Sequence, residues 1–272
     1  MPNVTRIGEF EVLVVTDGML SVPPKVYFPA TEPDQWEPHK RWTNHDGTIT
    51  FAFASFVIRS GGKTILIDAG IGDRQVGPMK GGLLLTELAK AGIQPADIDA
   101  VFCTHLHYDH YGHIVAGEPG GLSMNFPNAS LHWTAAEQSW AESAPGPDVE
   151  LRKEMLGLIA DRYVSSDGGS SLAPGVDVVA LPGHTPGHAG IVLSSGSQRA
   201  YILGDAVACP VQLTETEWSG LGDVDPVLAR KSQEIVAREF EDGESFVGAA
   251  HFPGLQFGRV VVTEGRRYWN PV

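Results

Sequence analysis

Residues 103–113 read CTHLHYDHYGH, which places four of the chain's ten histidines, together with Asp109, inside eleven positions. Imidazoles this close repel one another when protonated, and they are poor core filler. A bound cation removes both difficulties, because each neutral ring then offers its lone pair to the metal. The run in front, IDAVFCT (98–104), is apolar and reads as a buried strand, so the cluster hangs from a strand end. Other strand-like runs end in the same kind of residue. Asp68 closes TILID (64–68), His184 sits in the turn GHTPGH (183–188), Asp205 closes YILGD (201–205) and His251 closes VGAAH (247–251). Five histidines and two aspartates are thereby available, a set that suits two metal ions sharing one carboxylate. Spacing decides the division only in part. His105 and His107 point the same way in extended backbone, and strict alternation would add Asp109 to that pair.

Length and composition set the frame. The 272 residues are 42% hydrophobic, enough for one large core, and 32 glycines with 19 prolines imply many turns between short strands. The formal charge of −14 comes without a Lys/Arg cluster, which speaks against nucleic acid as a partner. Two cysteines, Cys103 and Cys209, make no disulfide framework, and both read as buried thiols. The opening MPNVTRIGEF lacks a basic segment followed by an apolar run, so a cytoplasmic protein with no membrane partner is expected.

Along the chain, EFEVLVVTD (9–17) reads as a strand and 21–48, rich in Pro and aromatics, as a long loop near the site. Gly61-Gly62 between two β-rich runs signals a hairpin. GGLLLTELAKAG (81–92) and ELRKEMLGLIADRY (150–163) read as helices. SLHWTAAEQSW is a strand then a helix, with Thr134 and Glu137 as a capping box. Asp225-Pro226 opens a helix to about Phe240, and GRVVVTEGRRYW is a closing hairpin. No linker divides the chain. The expectation is a single domain, 1–272, of class α+β: an αββα sandwich of two mixed β-sheets face to face with helices on the outer faces.

The succession HLHYDH, GHTPGH, LGD and AAH resembles the metallo-β-lactamase-fold metallohydrolase superfamily over nearly the whole chain. The resemblance implies His105, His107 and His184 on one ion, Asp109, His110 and His251 on a second, and Asp205 bridging, with Asp109 and Asp205 catalytic. It implies two divalent ions, zinc first, with manganese, cobalt or iron as alternatives, and a metal-bridging hydroxide as the nucleophile. Asp68 would stand behind the ligands and orient the histidine loop, and His188 would brace its turn. His113 would be either behind the ligands or in the pocket wall. His39, His45 and His132 read as ordinary surface or core residues.

For substrate, the resemblance implies lactones or related carboxylic esters, with phosphotriesters as the alternative. Lactonases of the family carry a tyrosine three residues after the bridging aspartate, where this chain has Ala208. GDAVACPVQL, DVDPVLARK and the closing YWNPV look more like the branch containing methyl parathion hydrolase. Val26, Tyr27, Phe28 and Trp36 in the early loop, with Ala208, Val211, Leu213 and Trp218, are the expected walls of a substrate pocket. A β-lactamase, a thioesterase, a nuclease, an iron-dependent redox member or a metal-free scaffold fit less well. Relatives of this kind are often dimers, so a homodimer is one expectation.

Overall fold

The computed structural model describes residues 3–272. Its two large sheets have seven strands each. The first runs in the order Asn3–Ile7, Phe10–Val22, Ile49–Ser60, Lys63–Ile67, Ala100–Phe102, Ser130–Trp133, Tyr163–Ser165. The second runs Ser171–Ala173, Val176–Ala180, Ala189–Ser195, Gln198–Ile202, Phe246–Gly248, Gly258–Thr263, Arg266–Pro271. Both are mixed, as expected: antiparallel hairpins lead into parallel pairs.

Strand alternation explains the layering. Val12, Val14, Phe56, Ile58, Ile65, Ile67 and Phe102 face Val176, Val178, Ile191, Leu193, Ile202 and Phe257 of the second sheet. Their neighbours Leu13, Val15, Val57, Leu66 and Val101 point the other way, onto Leu84, Leu88, Leu151 and Met155 of the outer helices. On the far side Tyr201, Val247, Val260 and Trp269 pack on Val236, Ala237 and Phe240, at the end of helix Pro226–Glu239. Each such side chain contributes about 1.5–3 kcal/mol when fully buried. Strands covered on both faces read as unbroken apolar runs, which is why AVF and TILI show no polar alternation.

Most expected elements are present with shifted ends. The hairpin at Gly61-Gly62 has φ of +57° and +78°, the left-handed pair that a two-residue turn of this hand requires. The 81–92 helix is confined to Leu84–Lys90. The 150–163 helix is Val149–Leu158, and the rest turns into the edge strand Tyr163–Ser165. The stretch 21–48 is a correction: it holds the end of strand Phe10–Val22, a helical turn Pro24–Tyr27 and a 3-10 segment Pro33–Trp42. Pro24 and Pro33 start these helical turns, where a missing N–H costs nothing.

The fold brings the polar strand ends to one edge. Lys63–Ile67, Ala100–Phe102 and Ser130–Trp133 are parallel, so Asp68, the histidine run and Thr134 all leave the first sheet on the same side. Gln198–Ile202 and Phe246–Gly248 are likewise parallel and deliver Asp205 and His251. Backbone bonds stitch the two sheets at this edge: Ala189 N donates to Thr104 O at 2.9 Å, and Ala54 N to Ala250 O at 2.9 Å.

Candidate metal centre

Seven side chains converge at that edge. His105 Nε2 and His184 Nε2 each lie 2.9 Å from His107 Nδ1. Asp109, His110 and His251 form a second group whose ligand atoms lie within 4.8 Å of one another. Asp205 stands between them, with Oδ2 3.4 Å from His184 Nε2 and 3.1 Å from His251 Nε2, and Oδ1 3.3 Å from His110 Nε2. The division left open by spacing has a local cause. The strand ends at Phe102, the chain bends through His105 and His107, and Tyr108–Tyr111 is one helical turn, so Asp109 and His110 leave the alternation.

The outer nitrogens are tied down, and this fixes which nitrogen faces inward. His110 Nδ1 bonds Asp68 Oδ2 at 2.9 Å, His184 Nδ1 bonds Asp223 Oδ1 at 3.0 Å, and His251 Nδ1 donates to Ala52 O at 2.6 Å. Thr104 Oγ1 donates to Asp68 and lies 3.2 Å from His105 Nδ1. Asp68 does this from a left-handed backbone with φ +58°, which few residues other than glycine adopt. His188 donates from Nδ1 to Leu181 O and accepts Asp205 N–H at Nε2, 2.9 Å away. Burial, and then the neighbouring His184, push it down to about 3, so it stays neutral and able to accept.

The donor set fits cations. His105, His107 and His184 turn three ring nitrogens toward one another, with His107 Nδ1 at hydrogen-bond distance from the other two. Burial and the adjacent imidazoles hold His105 and His107 well below the ordinary histidine range, so both rings stay neutral. In the second group, burial works against the charge on His110, yet Asp205, Asp68 and Asp109 lift it well above the ordinary range. Burial would also raise Asp205, and His251 and His110 hold it well below the usual carboxylate range. These carboxylates draw positive charge to the site. His110 Nε2 and Asp205 Oδ1 are fully buried and without a hydrogen-bond partner. A neutral imidazole nitrogen and a carboxylate oxygen both offer lone pairs, and these two lie buried 3.3 Å apart, as two ligands of one cation would.

A family model, the metallo-beta-lactamase superfamily, matches residues 53–116 and 126–251, stretches that contain all seven converging side chains. The chain belongs to that superfamily. A probable metallo-hydrolase of Mycobacterium tuberculosis is 29% identical over 134 residues, 44% of this chain and 40% of the relative. An N-acyl homoserine lactonase of Bacillus cereus is 27% identical over 165 residues, 61% of this chain and 50% of the relative. The match thus spans about half the length of these curated relatives. Among solved structures, AidC, a dizinc quorum-quenching lactonase in complex with a product, superposes with a TM-score of 0.89 at 23% identity, covering 100% of this chain and 97% of that one. The hydrolase AbOPH of the beta lactamase superfamily gives 0.85 at 24% identity, covering 100% and 97%. These two likenesses establish the metallo-β-lactamase fold.

The centre forms the floor of a cavity of about 380 Å³. Its walls are Leu20, Val22, Val26, Tyr27, Phe51, Phe53, Pro78, Met79, Tyr108 and Leu221, with His107, Asp109, His184, Asp205 and His251 below. The expected walls need correction. Only Val26 and Tyr27 line the cavity. Phe28, Trp36, Ala208 and Val211 are buried in a cluster of their own, with Trp218 packed on it, and Leu213 joins the core under the C-terminal strands. Aromatics of the early segment that point inward cement it to the turn after Asp205, leaving none of their surface for a ligand. His113 is also apart from the cluster: its Nε2 bonds Asp17 Oδ1 at 2.7 Å, and Asp17 accepts from the backbone N–H of Ile71, Gly72, Gly82 and Leu84. That pair braces the 70–84 loop. His39, His45 and His132 lie elsewhere. Cys103 and Cys209 are buried and unpaired.

Two residues escaped the sequence reading. Glu137 does not return to the cap of its helix. Thr134 accepts from Glu137 N as expected, but the Glu137 carboxylate, wholly buried, accepts from Leu106 N, Thr185 Oγ1 and Gly187 N. It thereby fastens the His105–His107 loop to the His184 loop. Asp223 joins His184 to Gly220 N, 3.1 Å from its Oδ2. No local pattern marks Asp223, whereas a carboxylate inside a helix that faces the core would have flagged Glu137. Asp223→Asn is expected to weaken cation binding about 10- to 100-fold, read by competition with a chromogenic chelator. Unchanged affinity would show that His184 needs no such orientation.

Proposed function

We propose that the chain is a hydrolase of lactones and related carboxylic esters that works with two divalent cations, zinc foremost. His105, His107 and His184 would hold one, Asp109, His110 and His251 the other, and Asp205 both. When bound, such ions polarise a substrate oxygen and bring the pKa of a water from 15.7 to about 7. The observation that carries the substrate class is the cavity lining. It is apolar above the centre and includes neither Lys nor Arg, so it favours an uncharged acyl compound over an anionic one. The volume is in the range of small-ligand pockets, roughly 300–1,000 Å³. Asp109, whose side chain is 13% exposed, borders the cavity and is placed to take a proton at Oδ1 or Oδ2 and return it to the leaving oxygen. The likeness to lactonases supports the same class. The same neutral lining suits a phosphotriester, which is the second reading.

Metal analysis and a substrate panel test this together. Purified protein is expected to carry close to two equivalents of divalent ion, and to hydrolyse acyl-homoserine lactones, δ-lactones or aryl esters above thioesters, aryl phosphotriesters and nitrocefin. Exhaustive chelation should abolish the activity and zinc should restore it. Metal-loaded protein inert toward all of these compounds would overturn the proposal. A phosphotriester ranking first would select the second reading.

A further inference from the structure

The cavity wall holds two phenols, and they differ. Tyr108 Oη donates to Met79 Sδ at 3.5 Å. Tyr27 Oη has no hydrogen-bond partner among the described residues, although the ring around it is firmly held. The ring lies 4.5 Å from Phe51 and 4.9 Å from Phe28, centroid to centroid, and the Tyr27 carbonyl accepts Leu221 N–H at 2.7 Å. Phe51 in turn stands edge-on to His251 at 6.0 Å. Gly220 makes room on the other side: a Cβ there would come within 2.5 Å of Tyr27 Cε1 and 2.7 Å of its oxygen. Leu221 and Gly222 of that same loop line the cavity, and Gly222 lies over His184. Two segments far apart in sequence are therefore shaped to hold one hydroxyl without bonding it.

Burial, with Asp205, Asp223 and Asp109 nearby, raises the Tyr27 phenol well above its ordinary range. It stays protonated, which leaves it a hydrogen-bond donor and not a base. An unbonded donor on a residue of the cavity wall is available to an acceptor brought in by a ligand.

Building on the hydrolase reading above, we propose that Tyr27 is a catalytic residue whose hydroxyl donates a hydrogen bond to the substrate oxygen on which negative charge develops during ester or lactone cleavage. The proton remains on the phenol throughout, so no bond to Tyr27 forms or breaks. The side chain enters from the early segment, not from the turn after Asp205, where Ala208 is buried and offers no donor.

Tyr27→Phe keeps the ring, its contacts with Phe28 and Phe51, and the fit against Gly220. It is expected to lower kcat on the best ester or lactone about 100-fold, with KM changed less than threefold. Bound metal should stay at the wild-type stoichiometry, and the thermal midpoint should be unchanged. A kcat within twofold of wild type overturns the proposal, as does an equal loss accompanied by loss of metal, which would mean a structural role. Gly220→Ala, which displaces the hydroxyl while leaving it present, should reproduce the kcat defect with metal retained; wild-type kcat in that variant would also count against the proposal. A wild-type protein inactive on every ester and lactone would instead sink the hydrolase reading, and is distinguished by the first measurement.

Discussion

Asp205→Asn is expected to lower kcat/KM on the best ester or lactone about a thousandfold, and to leave the protein with less than its full complement of metal. The variant keeps the shape of the side chain and removes its charge. Asp205 touches both halves of the centre, reaching His184 on one side and His110 and His251 on the other. Two unit charges 4 Å apart interact by about 4 kcal/mol at an effective dielectric of about 20, which is close to three powers of ten in rate. On the two-cation reading the loss would be felt twice, once for each cation. Metal content measured beside the kinetics separates loss of an ion from loss of rate with both ions in place. Near-wild-type turnover and two bound ions in this variant would contradict a shared carboxylate.

The second large effect concerns stability. Glu137→Ala is expected to destabilise the fold by about 3–5 kcal/mol. It would strand three donors in the interior, Leu106 N, Thr185 Oγ1 and Gly187 N, each at about 1–3 kcal/mol when left unsatisfied. For a chain of this size that corresponds to roughly 5–10 °C in the thermal midpoint. Because the donors belong to the loops of His105–His107 and His184, the metal affinity of the first group should fall as well. Unfolding by denaturant, followed with and without chelator, checks both. A change below 1 kcal/mol would mean that water replaces the carboxylate at no loss.

The sequence made the sandwich and the seven converging side chains readable for one reason: both are written in local pattern. Unbroken apolar runs mark strands buried on both faces, and polar residues at their ends mark the edge where they meet. What stayed hidden depends on contacts between distant positions. Glu137 follows Thr134 at the spacing of a capping box, and only the approach of two loops, 31 and 48 positions away, gives it another employment. Asp223 lies in a polar loop with nothing around it to mark a partner to His184. The pocket failed differently. Tyr27 and Phe28 are adjacent and equally aromatic, yet one faces the cavity and the other the interior, a choice set by the helical turn Pro24–Tyr27 and invisible to composition. The positive φ of Asp68 is likewise a tertiary fact, since bonds to Phe102, Thr104 and His110 hold it there.

The donors are divided between the sheets, four from the first and three from the turns and strand ends of the second. A nascent chain that has released HLHYDH but not yet VGAAH can present no more than a fragment of the cage. On the two-cation reading, capture of both ions would wait until the later half of the polypeptide has left the ribosome and closed over the earlier one. Metal loading would then be a late event in the biogenesis of the protein, and the ion available to the finished fold would decide which element it keeps.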